Sequence, residues 1–151
     1  MPIKTSRFDV DIITQSLSEI IVRNKYGAFQ TSEGPYGPIL TPAEITIINI
    51  SGKGIIYGGF FQVSGGNPPD DNIRVELDGV SSIFTGIDTF KDRNLVEPLI
   101  TPLYLTLYDQ VNNYYTLGFS SGITFEQSVK VIYDCNTGGA FLYWLFYYAT
   151  I

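Results

Sequence analysis

At 151 residues the chain is long enough for one domain with a substantial core, since a domain of this size buries about 70% of the surface its unfolded chain exposes. Only 16% of its residues are charged, below an average of roughly 25%, so much of the surface must be Ser, Thr, Asn, Gln and Tyr, which suits a protein that meets other protein. The net charge of −6 lacks the basic field that draws nucleic acid, and the absence of histidine removes the commonest general base and metal ligand.

The N-terminus, MPIKTSRFDVDIITQ, interleaves Lys4, Arg7, Asp9 and Asp11 with its apolar residues. It therefore has no continuous apolar core of the kind a signal peptide needs, and no secretory route is expected. FDVDII (8–13) sets Phe8, Val10 and Ile12 against Asp9 and Asp11 with the period of a strand. SLSEIIVRNKYG (16–27) has Ser16 and Glu19 at capping-box spacing and Gly27 as a helix stop. Its run of Ile20, Ile21 and Val22 is β-branched, however, and a strand is expected. EGPYGP (33–38) and the TP pair at 41–42 break any regular structure. They divide the chain into residues 1–40, an N-terminal arm or first hairpin, and residues 41–151, a β-sandwich domain.

EITIINI (44–50), IIYGGFFQV (55–63) and NIRVEL (72–77) read as strands, with Gly58 and Gly59 marking a bulge or a close backbone approach. In VELDGVSSI the Asp78-Gly79 pair tolerates the positive φ angles of a tight type I′ hairpin. TGIDTFKDRNLVEP (85–98) is charged and reads as a surface excursion with at most one helical turn. LYLTLYD (103–109) and YYTLGF (114–119) flank QVNN, while SVKVIYD (128–134) and the aromatic terminus flank CNTGG, which predicts two further hairpins. The uncharged run from Ala140 to Ile151 is too short for a membrane helix of about 20 residues. Both of its alternating sets are bulky, Phe141, Tyr143, Leu145 and Tyr147 against Leu142, Trp144, Phe146 and Tyr148, so it reads as a strand covered on both faces.

About eight or nine short strands with almost no helix signal predict an all-β fold, an antiparallel β-sandwich of jelly-roll type with an extended N-terminal arm. A closed barrel is the rival architecture.

No motif assigns a catalytic, cofactor-binding or metal-binding residue. ISGKGIIYGG (50–59) has Ile47 and Gly54 where a phosphate loop needs Gly and a hydroxyl residue, and reads as a strand reversal with Lys53 solvated at its tip. Asp70, Asp71, Glu76 and Asp78 are spaced unlike a calcium loop and read as loop and hairpin carboxylates. No spacing singles out a facing carboxylate pair for glycoside hydrolysis. The lone Cys135 cannot form an internal disulfide and reads as a buried thiol. The 11 tyrosines fit either a sugar-stacking platform or a protein interface.

The succession INISGKGIIYGGFFQV, IRVELDGV with its hairpin, FEQSVKVIYD and the closing FLYWLFYYA resembles the small β-sandwich virion proteins of phages and archaeal viruses, over about residues 44–150. The resemblance implies a capsid, vertex, decoration or tail component that assembles with copies of itself and other virion proteins, with residues 1–40 as an arm reaching a neighbour. From the residues themselves, no enzyme activity, no cofactor, no nucleic-acid partner and no membrane span are expected. The alternative is a carbohydrate-binding β-sandwich displaying tyrosines and Trp144 side by side on one exposed face. A carboxylate hydrolase, the third class, would need two acids facing across a cleft.

Overall fold

The computed structural model describes residues 30–97 and 102–151. The strands expected at 8–13 and 16–27, and with them most of the expected arm, lie outside the described residues. Ten strands are present among the described residues: β1 (Gln30–Ile39), β2 (Ala43–Ser51), β3 (Gly54–Gly65), β4 (Asn72–Leu77), β5 (Val80–Gly86), β6 (Leu103–Asp109), β7 (Tyr114–Phe119), β8 (Ile123–Phe125), β9 (Ser128–Cys135) and β10 (Ala140–Thr150). They form two antiparallel sheets. The larger runs β1-β10-β3-β7-β6 with β8 also on β3, and the smaller runs β2-β9-β4-β5.

The pairing follows from one reversal. Asp78 and Gly79 both adopt positive φ, 53° and 79°, as the Asp-Gly pair predicts, and join β4 to β5. Outward from that tip, β3 pairs with β7 and β8, β2 with β9 and β1 with β10, so these strands form a long antiparallel ribbon doubled at residue 78, with β6 added as a local hairpin on β7. Coiling the ribbon brings β10 onto β3 and β9 onto β4 and closes the two sheets. That wrapping is the jelly roll.

The inner faces meet in a core that includes Ile48, Phe61, Ile73, Val131, Leu117 and Phe146. Phe61 and Tyr133 touch across the sandwich with ring centroids 5.4 Å apart, and Phe119 meets Phe146 edge-on at 4.5 Å. Cys135 is buried in the same core. Next to Gly58 and Gly59 the β10–β3 register shifts by one residue, which is the expected bulge; a Cβ on Gly59 would lie 2.4 Å from the Leu145 carbonyl oxygen.

Four expectations are corrected. EGPYGP does not break regular structure but lies within β1. Among the described residues β1 is an edge strand paired with β10, and an edge tolerates Pro35 and Pro38, whose missing N–H groups a central strand would need. CNTGG is not a hairpin: β9 belongs to the smaller sheet and β10 to the larger, and Gly138 and Gly139, with φ of 78° and 82°, carry the chain from one to the other. The segment after β5 is not merely a surface excursion. Its helix α1 (Ile87–Asp92) plugs one part of the sandwich with Ile87 and Phe90, both fully buried. Finally, β10 buries Leu142, Trp144 and Phe146 but leaves Phe141, Tyr143 and Tyr147 between 43% and 51% exposed among the described residues.

Phe146→Ala is expected to cost about 3–5 kcal/mol, since it empties a fully buried ring site between the sheets. Gly34→Ala is expected to cost about 1–3 kcal/mol by overpacking, because the new Cβ would stand 2.4 Å from Trp144 Cζ2. Urea titrations of both variants against the parent chain measure these losses.

Candidate functional site

The outer face of the larger sheet is built by strand alternation. Side chains that point away from the core at Phe141, Tyr143, Leu145 and Tyr147 on β10 lie beside Ser64, Gln62 and Phe60 on β3, and these lie beside Tyr114, Thr116 and Gly118 on β7. Gly118 has no side chain of its own to offer, and the Tyr104 ring of β6 lies over it, where a Cβ would come within 2.4 Å of the ring. Phe60 and Tyr143 pack ring to ring at 5.7 Å.

Cross-strand register gives this face relief. In one row Ser64 sits between Phe141 and Tyr114, and in the next Gln62 sits between Tyr143 and Thr116. The shorter, polar side chains of β3 therefore form a floor beside the rings of β10. A groove of about 360 Å³ lies here, bounded also by Pro35 and Tyr36 of the edge strand. None of its lining residues is charged.

The outer face of the smaller sheet is built differently. Glu44 on β2, Arg74 and Glu76 on β4, and Lys130 and Asp134 on β9 point outward there. Arg74 Nη2 donates to both oxygens of Glu44 at 3.2 Å, its Nε lies 3.1 Å from Glu76 Oε1, and its guanidinium stands 6.0 Å from the centroid of the Phe84 ring. Ile132, outward-facing between Thr46 and Arg74, is only 2% exposed beneath this ionic layer. That is how an antiparallel sheet ordinarily faces water. The aromatic face opposite is not.

The carboxylates singled out in the sequence do not converge. Asp71 is fully buried at the start of β4, where it accepts the Tyr133 hydroxyl and the Asn136 backbone N–H, the latter at 2.6 Å. Burial pushes its carboxyl above the ordinary range, and the two hydrogen bonds offset part of that rise. Asp78 faces solvent, and its Oδ1 accepts the backbone N–H groups of Glu126, Gln127 and Ser128 at 2.7–3.1 Å. Those three donors hold its carboxyl below the ordinary range. Glu76 belongs to the Arg74 cluster, and Asp70 accepts from the Asn67 side chain. Among the described residues, no three Asp, Glu or Cys side chains gather as a metal site would require. Lys53 is not simply solvated at a strand tip, since it pairs with Glu126 where the chain crosses between sheets.

Trp144 is also not where the carbohydrate alternative placed it. It points inward, 9% exposed, against Gly34, on the opposite face of β10 from Tyr143 and Tyr147. The sequence shows two equally bulky sets on β10, and only one of them, Leu142, Trp144 and Phe146, is buried. Nothing in the sequence signalled the Asp71–Tyr133 pair, which joins residues far apart in the chain.

Asp78→Asn keeps a turn-compatible side chain and an acceptor oxygen but removes the charge. A depressed folded-state value contributes stability that is present above the unfolded value of about 4 and is lost as pH falls through the folded one. Wild type is therefore expected to have the higher urea midpoint at pH 7, with the difference closing towards pH ~2. Tyr133→Phe removes the donor to buried Asp71 and is expected to cost about 1–3 kcal/mol at neutral pH. Asp71 titrates in the opposite sense: its raised value means that the fold prefers it protonated, so the Tyr133→Phe loss should shrink in acid, as denaturation at two pH values will show.

No protein-family model matches the sequence, and no curated protein matches it. Among solved structures, the chain is similar to a chain of the acidic stable capsid structure of Helicobacter pylori bacteriophage KHP30, at 10% identity and a TM-score of 0.46, covering 82% of this chain and 89% of that one. It is also similar to a chain of the cyanophage Pam1 capsid asymmetric unit, at 13% identity and a TM-score of 0.44, covering 83% of this chain and 87% of that one.

Proposed function

We propose that this protein is a non-enzymatic structural subunit of a virus particle, a capsid, vertex, decoration or tail component that works by burying surface against copies of itself and other virion proteins. The observation that carries the reading is the contrast between the two outer faces of the jelly roll: one ionic, the other a sheet of exposed rings almost free of charge. Jelly rolls serve as viral capsid domains, as lectins and as cupins. Fold alone does not choose among these. The interior of this one is filled by apolar side chains, and the chain has no histidine to support metal chemistry there. An open aromatic face on a chain with so few charges is what an assembly subunit needs, because such a face is costly to leave in water.

The carbohydrate-binding alternative is favoured by one observation, the uncharged groove in which Gln62 and Ser64 lie among rings. The aromatic surface extends well beyond that groove, to Leu145, Phe60 and Tyr147, which a local sugar site would not require.

Light scattering of the purified full chain over a wide concentration range, with negative-stain imaging of the heaviest fraction, tests the proposal. Mass that rises with concentration towards closed assemblies is expected. A strictly monomeric chain that retains a defined oligosaccharide in a glycan screen would overturn it.

A further inference from the structure

We infer that the aromatic face of the larger sheet is a self-complementary docking surface, on which a second copy of this chain seats about a two-fold axis with the ring ridge of each copy in the polar-floored groove of the other. This inference rests on the assembly reading above and names the contact that reading requires. The two halves of the fit are adjacent on the same surface. Phe141 and Tyr143 of β10 stand up as a ridge, and Ser64 and Gln62 of β3 form the lower strip beside them, with the Tyr114 ring beyond Ser64. Rotating one copy by a half-turn about an axis that lies in the interface, parallel to the strands and midway between β10 and β3, places ridge over strip in both directions at once. A two-fold contact requires that relation, since each patch must meet its own image.

Charge chooses the occupant. Each copy carries a net charge of −6, so two copies repel through most of their surfaces. The groove and its ring ridge have no charged lining residue, and the nearest acids of this sheet face, Glu33 on β1 and Asp109 on β6, lie towards its edges. An acidic protein can approach its own copy most closely where its charges are absent. The opposite face carries Glu44, Glu76 and Asp134 together with Arg74 and Lys130, so burying it would take five charges out of water.

Area is consistent with the same occupant. Tyr114, Phe141, Tyr143 and Tyr147 are each 43–51% exposed. Taking ~200 Å² per aromatic side chain, their open parts offer on the order of 350 Å². Each partner in a standard interface contributes about 800 Å². The surrounding Leu145, Phe60, Gln62 and Thr116 are placed to supply much of the remainder. Gln62 and Ser64 give the floor hydrogen-bonding groups that can meet the partner's Tyr143 hydroxyl, as tyrosine at an interface core requires.

The test is sedimentation equilibrium of the full chain and of Tyr143→Asp and Phe141→Asp, with Phe84→Ser on the ionic face as the control. Each face substitution acts twice in a two-fold dimer, so a dissociation constant raised roughly a hundredfold or more is expected for either, and no change for the control. Circular dichroism melts check that the variants fold; if an Asp variant does not, Tyr143→Ser and Phe141→Ser are read in the same way. Ser64→Trp separates fit from mere stickiness, since it adds apolar area but fills the groove. Weakened association by Ser64→Trp supports ridge-in-groove seating, and strengthened association overturns it. If wild type associates and the Tyr143 and Phe141 variants associate equally well, this face is overturned while the assembly reading stands. If wild type remains a monomer at every concentration, the assembly reading falls and this inference with it. A neutral oligosaccharide whose binding to that monomer is lost in Tyr143→Ser would then assign the groove to a glycan.

Discussion

At the Asp78-Gly79 turn both residues hold positive φ, and the pairings β4–β5, β3–β7, β2–β9 and β1–β10 follow one another outward from that reversal. The turn is the closed end of a ribbon whose two halves are β1 to β4 and β5 to β10. The Asp78 carboxylate adds a second constraint at the same point. It reaches from the ribbon's tip to the corner between β8 and β9 and accepts three successive backbone N–H groups there. Donors at a chain reversal lack ladder partners, and one carboxylate satisfies them together. The tip is thereby tied to the segment that enters β9, the strand that β2 and β4 both need as a partner.

Coiling such a ribbon leaves two outer faces, and chain composition makes them unequal. On β4 and β9 the outward positions are Arg74, Glu76, Lys130 and Asp134, and ion pairs shield an apolar Ile132 beneath them. On β10 and β3 the outward positions are rings with Gln62 and Ser64 between them. With few charges in the whole chain, concentrating them on one sheet leaves the other nearly neutral. The neutral sheet is where an acidic protein meets least repulsion from its own copies.

The flanks of the sandwich are closed by polar and helical plugs rather than by strands. Asp71 is buried with its oxygens occupied by Tyr133 and the Asn136 backbone, and its own carbonyl accepts the Ile87 N–H that starts α1. Through that residue the β4 start, β9 and the helix are held to one another. Helix α1 then inserts Phe90, while Lys91 stands 4.5 Å above the Tyr108 ring of β6. A buried carboxylate in this position costs desolvation, and its hydrogen bonds keep that cost from unfolding the corner.

Much of this was legible in residue order. NIRVEL, LYLTLYD and YYTLGF coincide with β4, β6 and β7, because alternation with period two is a local property of a strand with one wet face. The Asp-Gly turn was legible for the same reason, since positive φ is a property of the residues themselves. What tertiary structure decided was which strands share a sheet and which faces are covered. The Pro-Gly sequence of β1 looks like a breaker and becomes an edge strand because, among the described residues, β10 alone pairs with it. Cys135 to Gly139 looks like a hairpin loop and becomes a crossing because β9 and β10 find their partners in different sheets. The two bulky faces of β10 are alike as sequence. Only the packing of the smaller sheet against Leu142, Trp144 and Phe146 makes them differ, since burial depends on what lies opposite a side chain and not on the side chain alone.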